Sequence, residues 1–122
     1  MKLDALVLLG VTYAKSRRYV QSDKAFEEAL KLNNQSPIAM IRYANALVGR
    51  DGLGEKAKQL ADTALKMTAE SDPSVLEGFG DYLYKSGDKS KAVTYWQKAK
   101  EQGVKSVVLD KKILEKAFIE LP

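Results

Sequence analysis

Glu77 and Asp81 stand four residues apart, the spacing that brings two side chains onto one face of a helix. A pair of carboxyls can act as acid and base across a glycosidic bond. That chemistry needs a deep cleft, with one carboxyl kept protonated. An array of short helices offers only a shallow groove, so the pair is not expected to act this way. The adjacent Glu27 and Glu28 are expected on an outward helix face. The glycine-rich stretch GRDGLGEK, residues 49–56, lacks both the Gly-Lys-Ser/Thr ending and the preceding strand of a phosphate-binding loop. It reads as a turn. Calcium-loop spacing is missing as well.

The 122-residue chain has no histidine and no cysteine. This removes the commonest general base, the commonest zinc ligand, thiolate nucleophiles and disulfides. No catalytic, metal or cofactor-binding residue is expected, and the chain reads as a non-enzyme. Either redox compartment is open to a chain without cysteine.

Hydrophobic residues make up 45% and charged residues 30% of the chain, a balance that folds as a soluble domain. The length suits a single domain spanning 1–122. The formal charge is +4, but the basic residues are interleaved with acids and never run to a block. Nucleic acid is therefore disfavoured as a partner. MKLDALVLLGVTYAK, at residues 1–15, has some features of a signal peptide. Asp4 fits that reading poorly, and the run is too short to span a bilayer.

The elements that must position these residues repeat. Ser22, Ala57 and Ala92 lie 35 apart, as do Ala29, Ala64 and Ala99, and Phe26, Ala61 and Trp96. Gly10, Ala44 and Gly80 follow at intervals of 34 and 36. Within each block the apolar and small residues fall at i, i+3, i+4 and i+7, one face of a helix. Leu6, Leu9, Gly10 and Tyr13 begin the series, and Leu76, Phe79, Gly80 and Leu83 close it. Small residues mark where two helices cross closely, and large ones fill the space beside them. Ser36-Pro37 and Asp72-Pro73 predict N-caps with proline in the first turn. Asp88 and Ser106 predict two more caps, and Gly103 a helix stop.

With these residues in place the chain resembles the tetratricopeptide repeat family, whose 34-residue unit is a helix-turn-helix. The match runs through Leu6, Leu9-Gly10, Tyr13, Tyr19, Ser22, Phe26 and Ala29, and again through Leu76, Phe79-Gly80, Leu83, Gly87, Ala92, Trp96 and Ala99. The middle block departs from it, with an extra residue in its turn and Ala61 at the bulky position. The resemblance implies an all-α fold of about seven helices: a right-handed superhelical array of three repeats, 3–36, 37–71 and 72–105, then a capping helix at 106–120. In that helix Val107, Ile113, Leu114, Ala117, Phe118 and Leu121 would face inward. Lys111, Lys112, Glu115 and Lys116 would form the polar outer face an array end requires.

The resemblance further implies a concave face, lined by the first helix of each repeat, that holds a peptide or protein. By position that groove would present Val7, Val11, Ile41, Arg42, Asn45, Glu77, Asp81 and Tyr84. Val7, Val11, Ser74 and Gly78 stand where carboxylate-clamping members carry lysine, asparagine and arginine, so a clamp of that type is not expected. The groove would be apolar at one end and acidic at the other, matching a ligand with an apolar anchor and a basic segment. The expected function is a non-catalytic interaction or scaffold module. The alternative is an accessory docking domain of a larger protein or assembly machine, using its apolar first repeat. That uncapped N-terminal end would also support some dimer at high concentration.

Overall fold

The computed structural model describes residues 2–119, and these residues form seven α-helices and no strand. They are α1 (Leu3–Lys15), α2 (Tyr19–Leu32), α3 (Pro37–Leu47), α4 (Gly54–Thr68), α5 (Pro73–Ser86), α6 (Lys89–Glu101) and α7 (Val107–Glu115). No helix among the described residues is long and apolar enough to cross a membrane.

Local chemistry sets the boundaries. Ser36 Oγ accepts from the Ala39 N–H at 3.2 Å ahead of Pro37, and Asp72 Oδ1 accepts from Ser74 at 2.9 Å ahead of Pro73. Asp88 and Ser106 cap α6 and α7 in the same way, each accepting at 3.2 Å. These side chains satisfy backbone donors that a helix start leaves open. Gly87 ends α5 at φ 106°, a left-handed conformation that costs a side chain energy and glycine almost none.

The helices pair in chain order, α1 with α2, α3 with α4, and α5 with α6, and α7 packs on α6. The first helices of the pairs also touch in sequence, α1 with α3 and α3 with α5. Close approach within the outer pairs depends on glycine under a ring. A Cβ at Gly10 would fall 2.6 Å from the Phe26 ring, and one at Gly80 would fall 2.5 Å from Trp96 Cδ1. Both distances are shorter than real carbon contacts. In the middle pair Ala44 takes the glycine place and Ala61 the ring place, and both are fully buried. The small residue there needs no further reduction, because no ring stands opposite it. Between pairs, a Cβ at Gly78 would meet Ile41 Cγ1 at 2.9 Å, and the Phe26 and Tyr43 rings stack at 4.9 Å. Ser22 Oγ donates to Gly10 O at 2.8 Å, which lets a hydroxyl occupy a place filled by alanine in the other pairs.

The C-terminal helix differs from expectation in both length and rotation. It ends at Glu115, with Lys116 left-handed at φ 52°. Glu120 and Leu121 lie outside the described residues. Leu109 and Lys112 face inward and are buried, whereas Val107 and Leu114 are 75% and 82% exposed. Lys112 is therefore not part of an outer polar face. Its ammonium meets two carboxylates on α5, and that pairing sets the rotation of α7.

Candidate partner-binding groove

A groove of about 640 Å³ runs between α1, α3, α5 and α7. Val11 and Lys15 line it from α1, and Arg17 from the turn that follows. Arg42, Asn45 and Arg50 come from α3 and its turn, Glu77, Asp81 and Lys85 from α5, and Lys112, Phe118 and Ile119 from α7 and the segment beyond it. Of the residues anticipated for a concave face, Val11, Arg42, Asn45, Glu77 and Asp81 come together here. Val7, Ile41 and Tyr84 do not line it. Ile41 is fully buried and fills the space over Gly78, so its methyls are spent between helices. Val7 packs into the apolar core beside Leu6. Tyr84 stacks on Trp96 at 5.9 Å, with the Lys89 ammonium 5.4 Å above its ring.

The anticipated acidic end is not free. Lys112 Nζ donates to Glu77 Oε2 and to Asp81 Oδ1, both at 2.8 Å, and the Trp96 indole N–H donates to Asp81 Oδ1 at 3.0 Å. Asp81 is 7% and Lys112 3% exposed, which makes this an interior ion cluster. Burial raises the Asp81 carboxyl above its ordinary value, and Lys112 draws it back only in part. Both carboxylates are thus held by donors rather than presented to a reactant.

What remains on the groove wall is cationic. Six basic side chains line it against two acidic ones, and Lys112 engages both acids. Arg50 is held by Asp23 through two bonds of 2.8 and 3.1 Å and lies 4.5 Å above the Tyr19 ring. Arg17 and Arg42 form no ion pair among the described residues. Asn45 is spent on the backbone: its Nδ2 donates to Ile41 O at 3.0 Å and Gly78 O at 2.9 Å, bridging α3 to α5. Its buried Oδ1 has no partner among the described residues.

A second polar cluster lies away from the groove. Tyr43 Oη donates to Glu27 Oε1 at 2.7 Å, and Lys56 Nζ donates to the same oxygen at 2.9 Å. Burial, with the Glu27 carboxylate beside it, pushes the Tyr43 phenol up to about 12. A phenol held protonated so firmly is a poor base. The cluster ties α2, α3 and α4 together.

Sequence reasoning missed Lys112, Arg50 and Phe118 as groove residues. Lys112 alone carried a signal, since it falls three residues after Leu109 and so shares its face. Arg50 and Asp23 are far apart in the chain, and no local pattern joins them. The chain matches neither a protein-family model nor a curated protein.

Proposed function

We propose that this chain is a non-catalytic interaction module, similar to a tetratricopeptide array with its right-handed superhelical stacking, that binds a peptide or protein in the groove between α1, α3 and α5. The observation that carries the reading is a groove with uncommitted cationic side chains, Arg17 and Arg42, beside the apolar Val11. It favours an acidic partner segment over the basic one expected from Glu77 and Asp81, because Lys112 already engages both of those carboxylates. Opposite charge speeds encounter and fixes register, and arginine is a frequent anchor at interfaces. The carboxylates held by Lys112 support a role without turnover.

The test is capture of partners by the full chain, comparing parent with Arg42→Glu. The expected result is a protein retained by the parent at low salt, weakened at high salt, and lost with Arg42→Glu. A partner retained equally by both would sink the groove reading.

A second reading rests on a different surface. Leu8, Val20 and Leu32 of the first helix pair are 65%, 80% and 58% exposed, apolar side chains that a docking partner could cover. Loss of the partner with Leu8→Glu/Val20→Glu, and not with Arg42→Glu, would select that reading.

A further inference from the structure

The segment that follows α7 turns back into the groove. Lys116 adopts the left-handed conformation at φ 52°, and the Ala117 N–H donates to Lys112 O at 3.1 Å, so the helix ends there and the chain turns off its axis. A lysine has no intrinsic preference for that conformation, so contacts beyond it must hold the turn. Those contacts are visible. Phe118 packs against the core cluster of Leu76, Trp96 and Leu109. Its ring also lies 4.5 Å from the Lys85 ammonium and 5.2 Å from that of Lys112. Two cations around one ring form a place for an aromatic side chain. Phe118 and Ile119 line the groove together with Arg17 and Arg42, and are themselves only half-buried. The sequence continues with Glu120, so an aromatic residue and a carboxylate lie two positions apart in this segment.

We propose that residues 117–119 are a displaceable occupant of the groove, and that the partner is a peptide whose aromatic side chain takes the place of Phe118 while its carboxylates meet Arg17 and Arg42. This rests on the groove reading above and specifies its ligand. The wall selects the chemistry: cations flank the ring site, and Arg17 and Arg42, which form no ion pair among the described residues, stand along the same surface. The cost of expelling the chain's own segment lowers apparent affinity by the fraction of time the groove is open.

A labelled synthetic peptide of residues 116–122, KAFIELP, is the probe. Its binding is followed by fluorescence anisotropy on the full chain, on Phe118→Ala, and on Lys116→Pro, which forbids the left-handed turn while leaving the ring in the chain. Circular dichroism checks that each variant keeps its helices. Both variants are expected to bind the probe at least tenfold more tightly than the parent. The gain should vanish with Arg42→Glu, and with a probe in which Phe or Glu is replaced by Ala. Equal affinity for parent and both variants, or a gain indifferent to Arg42 and to the probe's Phe, overturns the proposal. If that happens while Arg42→Glu still abolishes partner capture, the groove reading stands and only the displaceable occupant falls. If Arg42→Glu also leaves capture unchanged, both fall.

Discussion

Asp81 has neighbours that only the folded chain provides. It accepts from an indole and an ammonium while almost fully enclosed, so its charge is tolerated only because Lys112 is there. Removing the cation leaves two neighbouring carboxylates without their ammonium, and breaking a buried pair costs about 3–5 kcal/mol. Lys112→Ala should therefore lower the denaturant midpoint markedly. Asp81→Asn should cost much less, because it keeps an oxygen for the indole N–H and leaves Lys112 its bond to Glu77. The pH dependence has a definite sign. The folded-state pKa of Asp81 lies above its ordinary 3.8, so in the window above 3.8 the native state binds more protons than the unfolded one. The Asp81 contribution to stability then falls as pH rises through that window. Glu27 works the other way: its pKa is lowered, first by the bond from Lys56, so its contribution is present above 4.5 and lost as pH falls below it. Unfolding titrations of parent and Asp81→Asn, subtracted, should isolate the falling component. A difference curve flat from pH 3.5 to 6 would contradict it.

At the scale of the helices, glycine is retained for contact against its own propensity. Replacing glycine by alanine inside a helix ordinarily gains about 1 kcal/mol. At Gly10 and Gly80 the added methyl would collide with Phe26 or Trp96, and overpacking costs about 1–3 kcal/mol or more. Gly10→Ala and Gly80→Ala are thus expected to destabilise despite better helix propensity. Gly10→Ala/Phe26→Leu should be less destabilising than the sum of its parts, by about 1 kcal/mol, because the smaller residue admits the methyl. Additive losses measured by urea unfolding would show that the ring and the glycine do not share the contact. The middle pair makes the same point by contrast. Ala44 with Ala61 replaces glycine with a ring, so the interhelical space is filled from both sides instead of one.

For the molecule as a whole, the distribution of charge bears on function more than the net charge does. The +4 is modest, and surface pairs such as Lys58 with Asp62 and Lys98 with Glu70 hold some of the basic side chains locally. The groove is different, since Arg17 and Arg42 form no ion pair there among the described residues. Partner binding should weaken several-fold between 50 and 500 mM salt, because exposed charges are screened over a few ångströms at the higher value. Salt-independent binding would point instead to the apolar first pair. The exposed Leu8 makes its own prediction: sedimentation at rising concentration should show weak self-association that Leu8→Glu removes without changing unfolding stability. Persistence of the dimer in that variant would move the contact elsewhere.

Much of this architecture was legible from residue order alone. Seven helices, their caps at Ser36, Asp72, Asp88 and Ser106, and the small-against-large contacts of Gly10 with Phe26 and Gly80 with Trp96 all follow from helical period and local hydrogen bonding. These act within a few turns of chain or between adjacent helices. The rotation of α7, the withdrawal of Ile41 and Asp81 from the surface, and the return of Phe118 were not legible. Each depends on groups distant in the chain: Lys112 with Glu77 and Asp81, Ile41 with Gly78, and Phe118 with Leu76 and Lys85. Lys112 reads as a solvated residue until Glu77 and Asp81 are brought beside it, and hydrophobic periodicity assigns lysine to water. Residue order alone determined the helices and their neighbours. Tertiary structure alone decided the sign of the groove, because charge on a surface is what remains after the interior has paired its own.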